Sequence, residues 1–277
     1  MKSIIYIIFF ALFLSMVGIL VKLTSNVNIM TITFYRSLFA FLVLLIICPL
    51  LDKNTFKVTK KDLLGYLLIG FLFALSMSLT NLAFLHAPIN NIVLIWSTYP
   101  FFVFIFAYFL LKEKVTKTKI ITLIIAIIGL AFVNPINPIG LIGNILALIV
   151  AALDGFLFTL MRKADLEHGI GDVMWFFLFS TIFLLPFPFI FGFKISSVTI
   201  PLIGVVTAIA FIFYNLALQK MEVEIASITD IIIYPIFAIS FAVLILEEAI
   251  SWNIIVGGII LILAGIYLEF HNKKIKE

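Results

Sequence analysis

Charge is scarce in this sequence. Only 12% of its 277 residues are Asp, Glu, Lys or Arg and 64% are hydrophobic, whereas a soluble domain carries about 25% charged residues. A water-facing surface cannot be built from so few charges, which excludes a soluble globular fold and leaves little chain for a soluble domain. Cysteine is almost absent as well: Cys48 stands alone, so no intramolecular disulfide can form. The sequence contains no glycine-rich phosphate loop, no H-E-x-x-H metal site and no G-x-S-x-G elbow. Direct ATP coupling within this chain, metal-assisted hydrolysis and serine hydrolysis therefore have no support, and no metal or cofactor is expected.

What the sequence has instead is long apolar runs, with a mean hydropathy of +1.30. The first, "SIIYIIFFALFLSMVGILV", is too long for the apolar region of about 7–15 residues in a secretory signal, and no clear small-x-small site follows it. It reads as a membrane span. A helix needs about 20 mainly apolar residues to cross a hydrocarbon core of about 30 Å. Breaking the runs at charges and turn residues gives ten spans. In the first half they are Ser3–Leu23, Met30–Leu51, Asp62–Leu85, Ile89–Leu111 and Thr118–Val133. In the second they are Ile139–Met161, Gly171–Phe193, Thr199–Gln219, Ile225–Leu246 and Ser251–Phe270. Transmembrane strands would alternate polar and apolar residues, and these runs do not.

Short connections make successive spans alternate in direction, and the basic residues then sort by side. One side holds Lys2, Lys53, Lys57, Lys60, Lys61, Lys112, Lys114, Lys117, Lys119, Arg162, Lys163, Lys220, Lys273, Lys274 and Lys276; the other holds Lys22 and Lys194. Fifteen against two places both termini in the cytoplasm. The pI near 9.1 is explained by these inner-face clusters, so nucleic acid is not an expected partner.

One phrase is written twice. "NLAFLHAPINNIVLIWSTYP" runs from Asn81 to Pro100, and "NLALQKMEVEIASITDIIIYP" from Asn215 to Pro235. The offset is 134 at the Asn-Leu-Ala start and 135 at Tyr-Pro, and it holds through Ala107 and Ala242 to Glu113 and Glu248. The polar coincidences are informative where apolar ones are not. A repeat of five spans is odd in number, so the second copy runs through the membrane in the opposite sense, as in many transporters whose substrate site lies between inverted halves. The halves are expected at residues 1–134 and 135–277.

This arrangement resembles the drug/metabolite transporter superfamily, and its ten-helix EamA branch in particular. The resemblance spans the whole chain and includes "TFYRSLFAFLVL" around Arg36, although Val17-Gly18 stands where many members have Trp-Gly. It implies a central cavity formed by the first four helices of each half, with the fifth and tenth peripheral. It also implies export or exchange of small metabolites, often amino acids, across the cell membrane.

Charges within spans are the strongest candidates for function, because an ionised side chain at a helix centre is costly. Asp154, in "IVAALDGFLF", is the clearest case; a carboxyl in low dielectric tends to hold a proton, which makes protons a second candidate partner. The alternative is an Asp that packs two helices through hydrogen bonds. Arg36 lies about 10 Å from the outer edge at ~1.5 Å per residue. It suits a substrate carboxylate through its forked donors, or else snorkels to phosphate groups. If Arg36 and Asp154 face one cavity, they fit the two charges of an amino acid, and without substrate they are expected to pair. Asp230, a turn and a half from the inner side, reads as a candidate ligand or as a solvated helix-end carboxylate.

Trp96, Tyr99, Trp175, Tyr214 and Tyr234 are candidates to line the cavity, although most aromatics in a chain with 31 Phe must face lipid or other helices. Pro100 and Pro235 each remove a helical hydrogen bond, which makes them candidate gating kinks at matched positions. Glu113 and Glu248, at helix ends, read as structural acceptors. Gly257-Gly258 and Ala264-Gly265 offer a small face for close helix packing, also between subunits, so a monomer or weak homodimer is expected.

Two rivals are weaker. An intramembrane aspartyl protease would need Asp154 and Asp230 in glycine-flanked contexts that this sequence lacks. A nucleotide-sugar or sugar-phosphate antiporter would need several buried cations, and only Arg36 is well inside a span. Reporter fusions test the topology. Lys53–Lys61 should report inside, Ala87–Asn90 outside, and the C-terminus inside; a C-terminal reporter found outside contradicts ten spans.

Overall fold

The computed structural model describes residues 2–24, 26–112, 116–133, 140–166, 169–219 and 223–276, with side chains at all of these except 2, 3, 119, 223–231 and 268–276. Twelve helices and no strand occur among the described residues. In the first half they are α1 (Lys2–Leu23), α2 (Ile29–Leu51), α3 (Lys60–His86), α4 (Ile89–Trp96), α5 (Tyr99–Leu111) and α6 (Lys117–Val133). The second half has α7 (Leu141–Ala164), α8 (Ile170–Leu184), α9 (Pro186–Phe191), α10 (Thr199–Leu218), α11 (Val223–Leu246) and α12 (Trp252–Lys276). They form ten membrane helices, because α4 with α5 and α8 with α9 are each one span with an internal break. Backbone groups have no water to bond within a bilayer, so each run closes its own hydrogen bonds as a helix. Polar residues set the ends: Thr59 and Asp62 form a reciprocal capping box at α3, and Asn28 Oδ1 accepts the Met30 N–H at 2.9 Å to start α2.

The two halves interdigitate. Every major helix pair joins one half to the other, and the set is unchanged when the halves are exchanged. The α1–α10 pair corresponds to α7–α3, α2–α10 to α8–α3, and α1–α11 to α7 with α4 and α5, while α2–α8 and α6–α12 map onto themselves. Close approach at two glycines shows the same symmetry in atomic detail. A Cβ on Gly70 would lie 2.5 Å from Phe179 Cβ and 3.1 Å from the Phe176 carbonyl oxygen. A Cβ on Gly204 would lie 2.5 Å from Phe39 Cβ and 2.9 Å from the Arg36 carbonyl oxygen. The helix ends before the two glutamates match as well: Lys112 (φ 57°) and Glu247 (φ 56°) both turn left-handed to terminate α5 and α11. Glu113 lies outside the described residues.

The halves differ at the matched prolines. In the second, Pro235 sits inside a continuous α11. In the first, the helix stops at Trp96, turns through Ser97 and Thr98, and restarts with Pro100 in the first turn of α5. Proline is favourable there, since the missing N–H would have no intrahelical partner. The two matched prolines thus sit in different local structure. The small face of α12 is also used within the chain: a Cβ on Gly257 would meet the Gly129 carbonyl oxygen of α6 at 2.7 Å. α6 and α12 pack chiefly on each other, outside the remaining eight spans.

Valine at either symmetric glycine should force the paired helices apart, at about 1–3 kcal/mol for overpacking. Gly70→Val and Gly204→Val should each lower the melting temperature of detergent-purified protein. Unchanged melting in both would contradict the packing.

Candidate functional site

A cavity lies at the centre of the molecule, with ≈ 90 Å³ open to the centres of water-sized molecules. Its walls come from α1, α2, α3, α4, α5, α7, α10 and α11; α6 and α12 contribute none of the described lining. Arg36 and Asp154 both line it, together with Trp96, Tyr99, Tyr214 and Tyr234. Six of the eight expected substrate-contacting residues thus meet in one place.

The two charges are held by uncharged partners. Asp154 is 8% exposed. Ser76 donates to its Oδ1 and the Trp96 indole donates to its Oδ2, both at 2.6 Å. Arg36, 5% exposed, donates from Nε to Thr207 Oγ1 at 3.2 Å and from Nη1 to Asn81 Oδ1 at 3.1 Å. These orientations are fixed by the helices behind them. Thr207 and Thr33 spend their hydroxyl protons on the carbonyls four residues back, Ile203 and Ile29, at 2.7 and 2.8 Å. Their oxygens can then only accept. Thr33 Oγ1 takes the Asn81 Nδ2–H at 2.9 Å, so the Asn81 carbonyl turns to the guanidinium. The first Asn of the repeated phrase is thereby part of the mount for Arg36.

No ion pair within 4.0 Å joins Arg36 to Asp154 in this structure. The Arg36 side chain borders the cavity. Each side chain is oriented by neutral dipoles while opening to the same space. That arrangement can receive a ligand with both an anionic and a cationic group.

Aromatic rings complete the walls. The Trp96 ring lies 5.1 Å from both Tyr99, tilted, and Tyr234, edge-on, Tyr99 lies 5.4 Å from Phe158, and Phe10 lies 4.7 Å from Tyr214. Toward the inner side, Phe73, Phe158, Phe211 and Tyr214 separate the cavity from a smaller space of ≈ 20 Å³ bordered by Leu166, Gly169 and Leu218.

Of the other two expected residues, Trp175 lies elsewhere and Asp230 falls outside the described side chains. Trp175 stacks on Tyr66 with a 6.0 Å centroid distance and donates to the Thr55 carbonyl at 3.0 Å. It anchors α8 to the inner ends of α2 and α3, because α8 turns its polar indole toward the loop there. Asp230 is on α11, with its side chain outside the described residues. Sequence reasoning passed over Ser76, Asn81 and Thr207 as site residues. The signal was present: Ser76, Ser78, Thr80 and Asn81 form a polar cluster in an otherwise apolar helix, and Thr207 interrupts "IGVVTAIA".

Comparison with known proteins places the chain in a family. The profile of the EamA-like transporter family matches residues 1–134 and again 141–270. An uncharacterized transporter of Clostridium kluyveri is 30% identical over 100% of this chain and 96% of its own length. The Bacillus subtilis uncharacterized transporter YetK is 26% identical, covering 86% of this chain and 77% of its own. A crystal structure at 13% identity superposes over 100% of this chain and 99% of its own with a TM-score of 0.70, which speaks for the fold alone. The chain is a multi-pass membrane transporter and belongs to the EamA-like transporter family.

Proposed function

We propose that this transporter moves a small zwitterionic metabolite of the amino-acid class across the cell membrane, by export or exchange, through alternating access between its inverted halves. The observation that carries this reading is the pair of opposite charges, Arg36 and Asp154, on one cavity with neutral partners and no bond between them. In this reading Arg36 takes the carboxylate. Asp154 takes the ammonium, or a proton when the site is empty. The tyrosines and Trp96 enclose the rest of the molecule. The break at Ser97–Thr98 supports a hinge at Pro100, while Pro235 works within an unbroken helix. Such a difference between matched halves is what one state of an alternating pair requires.

A phosphorylated substrate fits poorly, since Arg36 is the one cationic side chain among the described lining residues.

Flux into proteoliposomes tests the assignment. Arg36→Gln should weaken transport of an amino acid by about 10-fold or more, the scale of a lost charge-assisted hydrogen bond, and that of its amide much less. Asp154→Asn should remove the dependence on pH between about pH 5 and 8. Equal losses for acid and amide, with the pH dependence intact in Asp154→Asn, would leave Arg36 a structural tie between α2, α3 and α10 and Asp154 a packing residue.

A further inference from the structure

α4 is a short rigid piece with a carboxylate at each end. It is eight residues long, about 12 Å at ~1.5 Å per residue, and reaches from the outer rim to the cavity. At its inner end, Trp96 donates to Asp154. At its outer end, Glu248 accepts the first two N–H groups of the helix, Ile89 at 3.0 Å and Asn90 at 3.3 Å. A carboxylate there is stabilised by the helix dipole, and Pro88 ahead of it has no N–H to offer. Lys22, near the end of α1, donates to the same carboxylate at 2.7 Å. Glu248 is itself fixed, because its N–H closes the left-handed end of α11 on the Ala242 carbonyl at 3.1 Å. One side chain thus ties α1, α4 and α11 together, about one turn outward of Ile92 and Val93 in the cavity wall. Below Trp96 the helix is interrupted, so α4 can turn without carrying α5.

We infer that Lys22 and Glu248 are positioning residues: they form an outer latch that holds Trp96 on Asp154 through α4, and its release opens the cavity to the outside. The latch is partly buried, with side chains 23% and 12% exposed, so water competes weakly for it while it is closed. A ligand that draws Asp154 away from Trp96 loosens the inner end of the same lever. This inference rests on the transporter reading, but it does not depend on the substrate class.

The test reads access rather than flux. Val17, on the cavity wall, is replaced by Cys in a Cys48→Ser background, and right-side-out vesicles are treated with a membrane-impermeant maleimide. Lys22→Gln and Glu248→Gln should each raise the labelling rate about 10-fold, the step from a roughly 1% to a roughly 10% open population. Lys22→Arg should keep the original rate, and Trp96→Phe should raise it as the latch variants do. Lys22→Gln leaves the glutamate on α4, so it reports even where Glu248→Gln fails to assemble. Labelling unchanged in Lys22→Gln overturns the latch. A rise there without one in Trp96→Phe overturns the coupling to the site. Wrong substrate chemistry alters neither result.

Discussion

Two ionisable side chains buried at the centre of a bilayer-spanning bundle, Arg36 and Asp154, are each satisfied by neutral hydrogen-bond partners instead of by each other. Had they formed a direct pair, the cavity would be electrostatically closed and a ligand would have to break that pair to enter. Held apart, they leave a polarised space between them. Much of the central architecture follows from that separation. Asn81 and Thr207 supply oriented dipoles to the guanidinium: Thr207 is oriented by the Ile203 carbonyl, and Asn81 by Thr33, itself bonded to the Ile29 carbonyl. Ser76 and Trp96 supply dipoles to the carboxylate. Removing any one of these would leave a buried charge short of a partner, which costs more than the bond itself contributed.

The pseudo-symmetry explains both where the site is and why it is lopsided. Gly70 on Phe176 and Gly204 on Arg36 are images of one crossing, so Phe176 stands where the second half would carry its own arginine. Asn215, the image of Asn81, bonds the Phe211 carbonyl at 3.4 Å and has no guanidinium to hold. The backbone is duplicated, while the charge is not. Arg36 and Asp154, drawn from opposite halves, border the cavity at their interface.

The sequence carried the architecture well because the membrane allows few solutions. Ten apolar runs, a lopsided distribution of lysine, and the Asn-Leu-Ala and Tyr-Pro coincidences were enough for the span count and the repeat. Facing was less legible. A helix that is apolar all round gives no periodicity to separate lipid from core, so Trp175 and Trp96 looked equivalent although one lies at the inner rim and the other on Asp154. The break after Trp96 was hidden for a different reason. The same Tyr-Pro sits in continuous helix in α11, where Ile232 and Ile233 precede it, whereas at the break the Ser97 and Thr98 hydroxyls bond the Val93 and Ile95 carbonyls. Glu248 read as a structural acceptor, and it is one; its particular partners came only with the fold.

The central claim, that the cavity recognises both charges of one small molecule, is tested most directly by equilibrium binding to the purified protein with matched ligands. An amino acid that binds is compared with its amide, which lacks the anion, and with its N-acetyl derivative, which lacks the cation. The account predicts that each change weakens binding about 10-fold or more, since each leaves one buried charge without its ligand partner. Equal affinity for all three would contradict it.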